Sequence, residues 1–317
     1  MGCITRRRFL ERMIALGAAG ASAALVTGAC APRPAPGVAA KPTPTPTPRG
    51  AYLAVARGGE PEEITRRAIQ AIGGMGRFVK KGDDVIVKPN ICVAYHTFEY
   101  AATTNPEVVA TLVKLCLEAG ARRLRVMDQP FGGTAQMAYE RSGIKAAVEA
   151  AGGQMELMSP AKFVEVEIPL GQDLEKWYFY GPVLDADVLI NVPIAKHHNL
   201  ARLTLGMKNL MGVILDRPSI HTNLGQRLAD LTSLLRPDLT VVDAVRVLTA
   251  HGPTGGNLDD VLKLDTVIAS HDIVAAGAYA TTLFSKEPSY LDSLTAGAEM
   301  GLGEMELGRL DIEEVTV

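Results

Sequence analysis

Residues 82–90 read GDDVIVKPN, and residues 104–128 read TNPEVVATLVKLCLEAGARRLRVMD. Each segment contains a short run of Val, Ile or Leu bounded by turn or polar residues, which is typical of a buried strand. Between these two strands, Pro106 and Glu107 begin a helix, an apolar stripe continues it, and Gly120 ends it. A strand–helix–strand unit of this kind predicts a right-handed crossover between parallel strands of one sheet.

The same alternation of strands and helices continues along the chain. Aromatic residues make up only 5% of the sequence, and the small apolar side chains suit helices packed on a sheet. We therefore predict an α/β fold: a doubly wound, mostly parallel sheet with helices on both faces. The predicted helices cover residues 61–72, 106–119, 135–151, 224–235, 272–283 and 290–300. The predicted strands cover residues 52–56, 85–87, 124–128, 155–158, 164–168, 177–180, 188–193, 240–243, 266–270 and 312–317.

The first thirty residues are expected to be an export signal rather than part of this fold. Residues 5–10, TRRRFL, match the twin-arginine pattern, and an apolar run follows from Met13 to Ala29. That run is short for a membrane-spanning helix, so a signal peptide is the better interpretation. The expected location is therefore extracytoplasmic.

A lipid anchor is expected at Cys30, because residues 25–30 (LVTGAC) resemble a lipobox, with Thr27 where Leu is usual. Simple cleavage near Ala29 or Ala40 is the alternative. Residues 31–49 are rich in Pro and Thr and favour an extended linker. The α/β domain is then expected to cover residues 50–317, tethered to a membrane.

Charge and cysteine content narrow the classes of partner. The formal net charge is −3, and residues 1–30 hold four Arg and one Glu, so the remainder carries −6 and shows no basic stripe. Nucleic acid is therefore not an expected partner. Cys92 and Cys116 remain in the domain; one disulfide is conceivable, but Cys116 falls on an apolar helix face and suits the core. The sequence contains no Cys-x-x-Cys motif for an iron–sulfur cluster.

Polar residues collect after several predicted strands, where open parallel sheets bind their ligands. They are Lys88 and Asn90, Asp128, Asn191 with Lys196 and His198, Asp243, and His251 with the loop at Gly252 and Pro253. Each alone could equally be a capped turn. Residues 195–212, AKHHNLARLTLGMKNLMG, add Lys208 and Asn209 and contain no acidic residue. Clustered ammonium groups repel unless an anion, or a carboxylate such as Asp128 or Asp243, compensates them, which predicts an anion site.

The sequence resembles the domain-of-unknown-function family 362. The matching segments are GDDVIVKPN (82–90), residues 102–126, DADVLINVPIAKHH (185–198), LTLGMKNLMG (203–212), VVDAV (241–245) and HGPTGG (251–256). The resemblance implies a site formed by Lys88, Asn90, Thr104, Asn191, Lys196, His198, Lys208 and Asn209. It also implies association with iron–sulfur modules, although the Cys-rich ferredoxin segment is absent here. Gly277 stands where family members often carry an Asp.

Two functions from different classes follow. The first is an exported protein with a site for a small anionic ligand, in which Lys196, His198 and Lys208 do acid–base or oxyanion chemistry of unknown reaction. The second is a non-catalytic accessory protein for an iron–sulfur or other redox partner. A core histidine is the alternative interpretation of His198. A metal site is a further possibility, built from His198, His221, His251 and an Asp. The spacing of these residues along the sequence matches no known metal-binding motif, so metal and cofactor stay unassigned. The expected ligand-binding residues are Lys88, Asn90, Thr104, Asp128, Asn191, Asn209 and Asp243.

Overall fold

The computed structural model describes residues 52–317. The predicted signal peptide, Cys30 and the linker lie outside the described residues and stay predictions. The strands are β1 Leu53–Arg57, β2 Asp84–Pro89, β3 Arg123–Val126, β4 Gln154–Met155, β5 Phe163–Glu167, β6 Lys176–Tyr180, β7 Val188–Val192, β8 Ile194–His198, β9 Arg202–Thr204, β10 Leu239–Leu248, β11 Val261–Ser270 and β12 Ile312–Thr316. The α-helices are α1 Pro61–Ala71, α2 Pro106–Glu118, α3 Ala135–Arg141, α4 Ile144–Ala150, α5 Gly181–Asp185, α6 Gly206–Asn209, α7 Arg217–Ile220, α8 Leu224–Leu235, α9 Ile273–Thr282 and α10 Asp292–Glu299. The 3₁₀ helices are Met75–Arg77, Phe98–Tyr100, Pro160–Lys162, Leu210–Val213, His221–Asn223, Leu258–Asp260, Pro288–Tyr290 and Leu307–Arg309.

Ten strands form one mixed sheet in the order β12-β1-β11-β10-β7-β2-β3-β4, with β8 added beside β10 and β9 beside β8. The pairs β10–β7, β7–β2, β2–β3, β3–β4, β10–β8 and β1–β12 are parallel. The pairs β1–β11, β10–β11 and β8–β9 are antiparallel. The prediction of a mostly parallel sheet is confirmed. Strands β5 and β6 form a separate antiparallel hairpin, and β6 contains the strand predicted over residues 177–180.

The core lies on both faces of this sheet. Successive residues of β2 alternate between two clusters: Val85 and Val87 pack with α1 to α4, whereas Ile86 packs with α8, α9 and α10. This alternation follows from the period of two along a strand. Helices therefore cover both faces, as predicted for a doubly wound fold.

Several sequence-based predictions of secondary structure are wrong in detail. The strand expected over residues 155–158 is Gln154–Met155, and the strand expected over residues 266–270 begins at Val261. The single helix expected over residues 135–151 is two helices, α3 and α4, separated at Ser142 and Gly143. Gly143 has a φ of 78°, a left-handed conformation that interrupts a right-handed helix. The strand expected over residues 240–243 runs on to Leu248 through an irregularity after Ala244.

Cys92 and Cys116 are both buried free thiols, so the conceivable disulfide does not form. Cys116 is fully buried in the cluster under α2, which confirms it as a core residue, and burial raises the pKa of its thiol. Among residues 52–317, no helix combines the length and the apolar character that crossing a membrane needs.

Candidate functional site

A cavity of about 780 Å³ opens beside the carboxyl ends of β2, β3 and β8. Strand ends of a parallel sheet converge there because the strands share one direction. The predicted residues Asn90, Asp128, Lys196, His198, Lys208 and Asn209 line it together. The other lining residues are Ile91, Cys92, Gln129, Phe131, Asn199, Leu200, Thr204, Met211, Gly212, Arg217, Pro218, His221 and Pro253.

Strand β8 decides which side chains of the AKHH segment face the cavity. Lys196 and His198 are two residues apart and therefore lie on one face of the strand, whereas His197 lies on the other. The Nδ1 atom of His197 accepts a hydrogen bond from the backbone N–H of Gly252 at 3.1 Å. Because residues 194–198 form a strand rather than a loop, the directions of the Lys196, His197 and His198 side chains are fixed.

Lys88 lies beneath the cavity and is fully buried. Its ammonium donates to Oδ1 of Asp128 at 2.7 Å, to Oδ1 of Asn209 at 3.1 Å and to the backbone oxygen of Pro89 at 2.9 Å. The other carboxylate oxygen of Asp128 accepts from the backbone N–H of Ile91 at 2.7 Å. All three ammonium protons of Lys88 are thus hydrogen-bonded, and the carboxylate of Asp128 compensates its charge. The sequence analysis named Asp128 and Asp243 as the candidates for this role.

Asn209 ties this ion pair to the neighbouring strands. Its amide nitrogen donates to the Oδ1 of Asn191 at 2.9 Å and to the backbone oxygen of Lys88 at 3.2 Å. Its Oδ1 also accepts from the amide of Asn90 at 3.0 Å. Asn191 in turn donates to the backbone oxygen of Gly206 at 3.0 Å. This buried network fixes the floor of the cavity, because nearly every donor and acceptor in it is satisfied.

Lys196 is only 1% exposed, and no carboxylate of residues 52–317 pairs with it. Its ammonium donates to the Oδ1 of Asn90 at 3.0 Å and to the backbone oxygens of Ala102 at 2.6 Å and Pro253 at 2.9 Å. Burial lowers the pKa of Lys196, although three acceptors suit the protonated form. Lys196 therefore contributes a positive potential to the cavity while its hydrogen bonds are committed to protein oxygens.

Lys208 differs from the other two lysines. In residues 52–317 no oxygen accepts a hydrogen bond from its ammonium and no carboxylate pairs with it. Burial, followed by the charges of Lys196 and Arg217, lowers the pKa of Lys208 to about 8. An ammonium with free donors in a recessed place is suited to holding an oxyanion.

Arg217 supplies a third cation of the cavity, which the sequence analysis did not identify. Its guanidinium donates to the backbone oxygens of Gln129 at 2.8 Å and Pro130 at 3.0 Å, so the loop after β3 holds its plane. Among the described lining residues, Asp128 is the one carboxylate, and Lys88 already pairs with it. Lys196, Lys208 and Arg217 therefore leave the cavity with excess positive charge.

His198 is held as a hydrogen-bond donor. Its Nδ1 accepts from the backbone N–H groups of Leu200 at 3.1 Å and Ala201 at 3.2 Å. Burial, aided by the charges of Lys208 and Lys196, lowers the pKa of His198 to about 3. The ring is neutral near pH 7 with its proton on Nε2, so it can donate to a ligand but is not poised to accept a proton.

His221 has the opposite tautomer, which sequence spacing could not indicate. Its Nδ1 lies 3.0 Å from the backbone oxygen of Arg217 and 3.2 Å from that of Pro218, so this nitrogen carries the proton. Burial and the charge of Lys208 lower the pKa of His221. The unprotonated Nε2 remains as an acceptor, and the cavity therefore contains one histidine donor and one histidine acceptor.

Thr104 and Asp243, both predicted ligand-binding residues, are absent from the cavity lining and act in its framework. The Thr104 hydroxyl accepts from the backbone N–H of Asn90 at 2.8 Å and donates to the backbone oxygen of Val192 at 2.9 Å. Asp243 accepts from the backbone N–H groups of Asn105 at 2.6 Å and Val245 at 3.0 Å. Burial raises the pKa of Asp243 to about 6. It lies inside β10 rather than at a strand end, which is why the expectation that it compensates a lysine is wrong.

Of the three histidines considered as metal ligands, His198 and His221 line the cavity and His251 does not. His251 is largely exposed, and its Nδ1 lies 2.7 Å from a carboxylate oxygen of Asp260. In residues 52–317 no three His, Cys, Asp or Glu side chains come together in a way that could hold a metal ion.

Gly277, where an Asp was expected by family resemblance, packs under helix α10. A Cβ at this position would lie 2.7 Å from a methyl carbon of Leu294. Gly277 is also outside the cavity lining. In this chain the position therefore serves helix packing rather than the cavity.

Similarity to known proteins extends over most of the chain. A thylakoid-associated protein of Synechocystis sp. is 27% identical over 252 residues, covering 75% of this chain and 74% of that protein. The lactate racemase apoprotein from Thermoanaerobacterium thermosaccharolyticum has a related structure, with a TM-score of 0.41 and 13% identity. That match covers 71% of this chain, and this chain spans 55% of the racemase. Residues 85–282 match the family described as a domain of unknown function, DUF362, and the chain belongs to this family.

Proposed function

We propose that this chain is an exported, membrane-tethered protein whose α/β domain binds a small anionic ligand in the cavity around Lys208. The observation that carries this proposal is the ammonium of Lys208, which lacks a protein acceptor among the described residues. Two further cations, Lys196 and Arg217, lie on the same cavity. Lys208 is half-buried in the cavity wall, and a bound oxyanion supplies its ammonium with acceptors and opposite charge.

Proton transfer at the bound ligand is the chemistry that His221 and Lys208 favour, with His198 as a fixed hydrogen-bond donor. His198 offers an N–H and His221 offers a lone pair, and both line the cavity with Lys208. His221 can take a proton from one atom of a ligand and Lys208 can give one to another, while the neutral His198 stabilises developing negative charge through its N–H without releasing the proton. The pKa of Lys208, about 8, also lets it exchange a proton near neutral pH. This supports an enzymatic role, whose substrate and reaction are not assigned.

Ligand binding is tested by thermal unfolding with sulfate, phosphate and pyrophosphate. Wild type should be stabilised by at least one of them, since a ligand that binds only the folded state raises its melting temperature. Lys208→Met should remove that stabilisation. Lys145→Met is the matched control, because Lys145 is an exposed residue that pairs with Glu149 on α4, away from the cavity. An identical ligand response of Lys208→Met and wild type would refute the proposal.

Export and tethering are supported by the sequence of residues 5–30 and by the linker over residues 31–49. Arg6→Lys with Arg7→Lys should keep the full chain inside the cell, and Cys30→Ser should release it from the membrane fraction. Fractionation followed by mass spectrometry of the mature N-terminus measures both. Membrane retention of Cys30→Ser would contradict the lipid anchor. The redox or iron–sulfur partner stays a prediction, tested by copurification.

A further inference from the structure

The cavity is much larger than a simple oxyanion. Its volume is about 780 Å³. A phosphate ion has five heavy atoms and occupies on the order of 100 Å³, given that one water takes about 30 Å³ in the liquid. Volumes of roughly 300–1,000 Å³ are typical of sites that enclose a ligand of many heavy atoms. The cations around Lys208 account for only one part of this space.

Part of the remaining wall is apolar. Two of its side chains are unusually exposed for their type: Phe131 is 70% exposed and Leu200 is 71% exposed. Because both line the cavity and both reach solvent, they lie at its mouth. Deeper in the wall, Met211 is only 3% exposed. The apolar lining residues are Ile91, Phe131, Leu200, Met211, Pro218 and Pro253.

The apolar and cationic parts are physically connected. Phe131 follows Gln129 and Pro130, whose backbone oxygens hold the guanidinium of Arg217. Leu200 gives its backbone N–H to the Nδ1 of His198. Each exposed apolar side chain therefore belongs to a loop that also positions a polar group of the anion site, so one molecule can contact both.

Resting on the proposed anion site, we infer that the ligand is an amphiphilic anion: an oxyanion head held at Lys208 and Arg217, joined to an apolar body that covers Phe131 and Leu200. A bare inorganic anion leaves those two side chains in water. An apolar molecule without a head would exclude water from the ammonium of Lys208 without offering it an acceptor, which opposes binding. A ligand with both parts satisfies both ends of the cavity.

Four probes separate these alternatives by titration calorimetry of the mature domain: inorganic phosphate, 1-naphthyl phosphate, 1-naphthoate and 1-naphthol. We expect 1-naphthyl phosphate or 1-naphthoate to bind at least tenfold more tightly than both inorganic phosphate and 1-naphthol. The comparison of 1-naphthyl phosphate with 1-naphthoate identifies the head as phosphate or carboxylate.

Variants locate the two contacts. Phe131→Ala should weaken the binding of the naphthyl anion by roughly three- to tenfold, the range expected for loss of one aromatic contact. It should leave the affinity for inorganic phosphate unchanged. Lys208→Met should weaken the binding of both inorganic phosphate and the naphthyl anion. Leu157→Ala is the matched control, since Leu157 is 56% exposed and does not line the cavity. Phe131 is mostly in solvent, so its replacement is not expected to unfold the domain.

The outcomes distinguish this inference from the anion site on which it rests. Equal affinity for inorganic phosphate and the naphthyl anions would refute the inference that the ligand has an apolar body, and would leave the proposed anion site in place. Equal affinity for 1-naphthol and the naphthyl anions would overturn the need for a head. Binding of no anion would remove the proposed function together with this inference.

Discussion

The charge state of Lys208 should set the pH dependence of anion binding. Its pKa is lowered to about 8 by burial and by Lys196 and Arg217. An oxyanion binds the protonated form, so affinity should be retained below pH 8 and lost as the pH rises through that value. His198, with a pKa near 3, stays neutral throughout this range and cannot produce the change.

The expected size of the effect follows from the protonated fraction of Lys208. With a pKa of about 8, that fraction is roughly 90% at pH 7 and roughly 10% at pH 9. Affinity should therefore fall by about tenfold between these two conditions, or about 1.4 kcal/mol in binding free energy. The same linkage predicts that binding takes up protons near pH 8 and above.

Sulfate is the suitable probe, because its charge does not change between about pH 7 and pH 9. Titration calorimetry at several pH values gives the affinity and, in buffers of different ionisation enthalpy, the proton uptake. Lys208→Arg should bind sulfate with a flat profile, since a guanidinium stays charged. Lys208→Met should bind weakly and also without pH dependence. The reasoning is refuted if Lys208→Arg loses affinity above pH 8 as wild type does.

Three further predictions concern stability and protonation. Lys208→Met should stabilise the unliganded domain at pH 7 by roughly 1–3 kcal/mol in urea unfolding, because it removes a half-buried ammonium whose lowered pKa reflects a less favourable charge in the folded state. A loss of stability would contradict this reasoning. Lys88→Met should lower the free energy of unfolding by about 3–5 kcal/mol, because it leaves Asp128 buried and unpaired. The double variant Lys88→Met with Asp128→Asn should recover part of that loss. If the double variant loses as much stability as the single one, the ion pair is not the cause. Nitrogen-15 NMR at pH 7 should find the proton of His198 on Nε2 and that of His221 on Nδ1, and the same tautomer in both rings would exclude the proposed donor and acceptor pair.

The pattern of the sequence was sufficient for much of the fold. The apolar runs at Val85–Val87 and Leu124–Val126, and the helix begun by Pro106 between them, are local signals whose form does not depend on distant contacts. The helix over residues 135–151 was wrong because the left-handed backbone of Gly143 is a single conformational choice that hydrophobic periodicity does not reveal. The AKHH segment was similarly undefined, because strand β8 forms only by pairing with β10 and β9.

The sequence by itself indicated several residues of the anion site, since Lys and Asn side chains that follow parallel strands lie at one edge of the sheet. Only the tertiary structure decided their roles. It paired Lys88 with Asp128, surrounded Lys196 with protein oxygens and left Lys208 without an acceptor among the described residues. It also brought Arg217 and His221 to the cavity and kept Asp243 inside a strand. The physical reason is that the charge of a lysine depends on its distant neighbours and its access to water, and neither is encoded in local spacing.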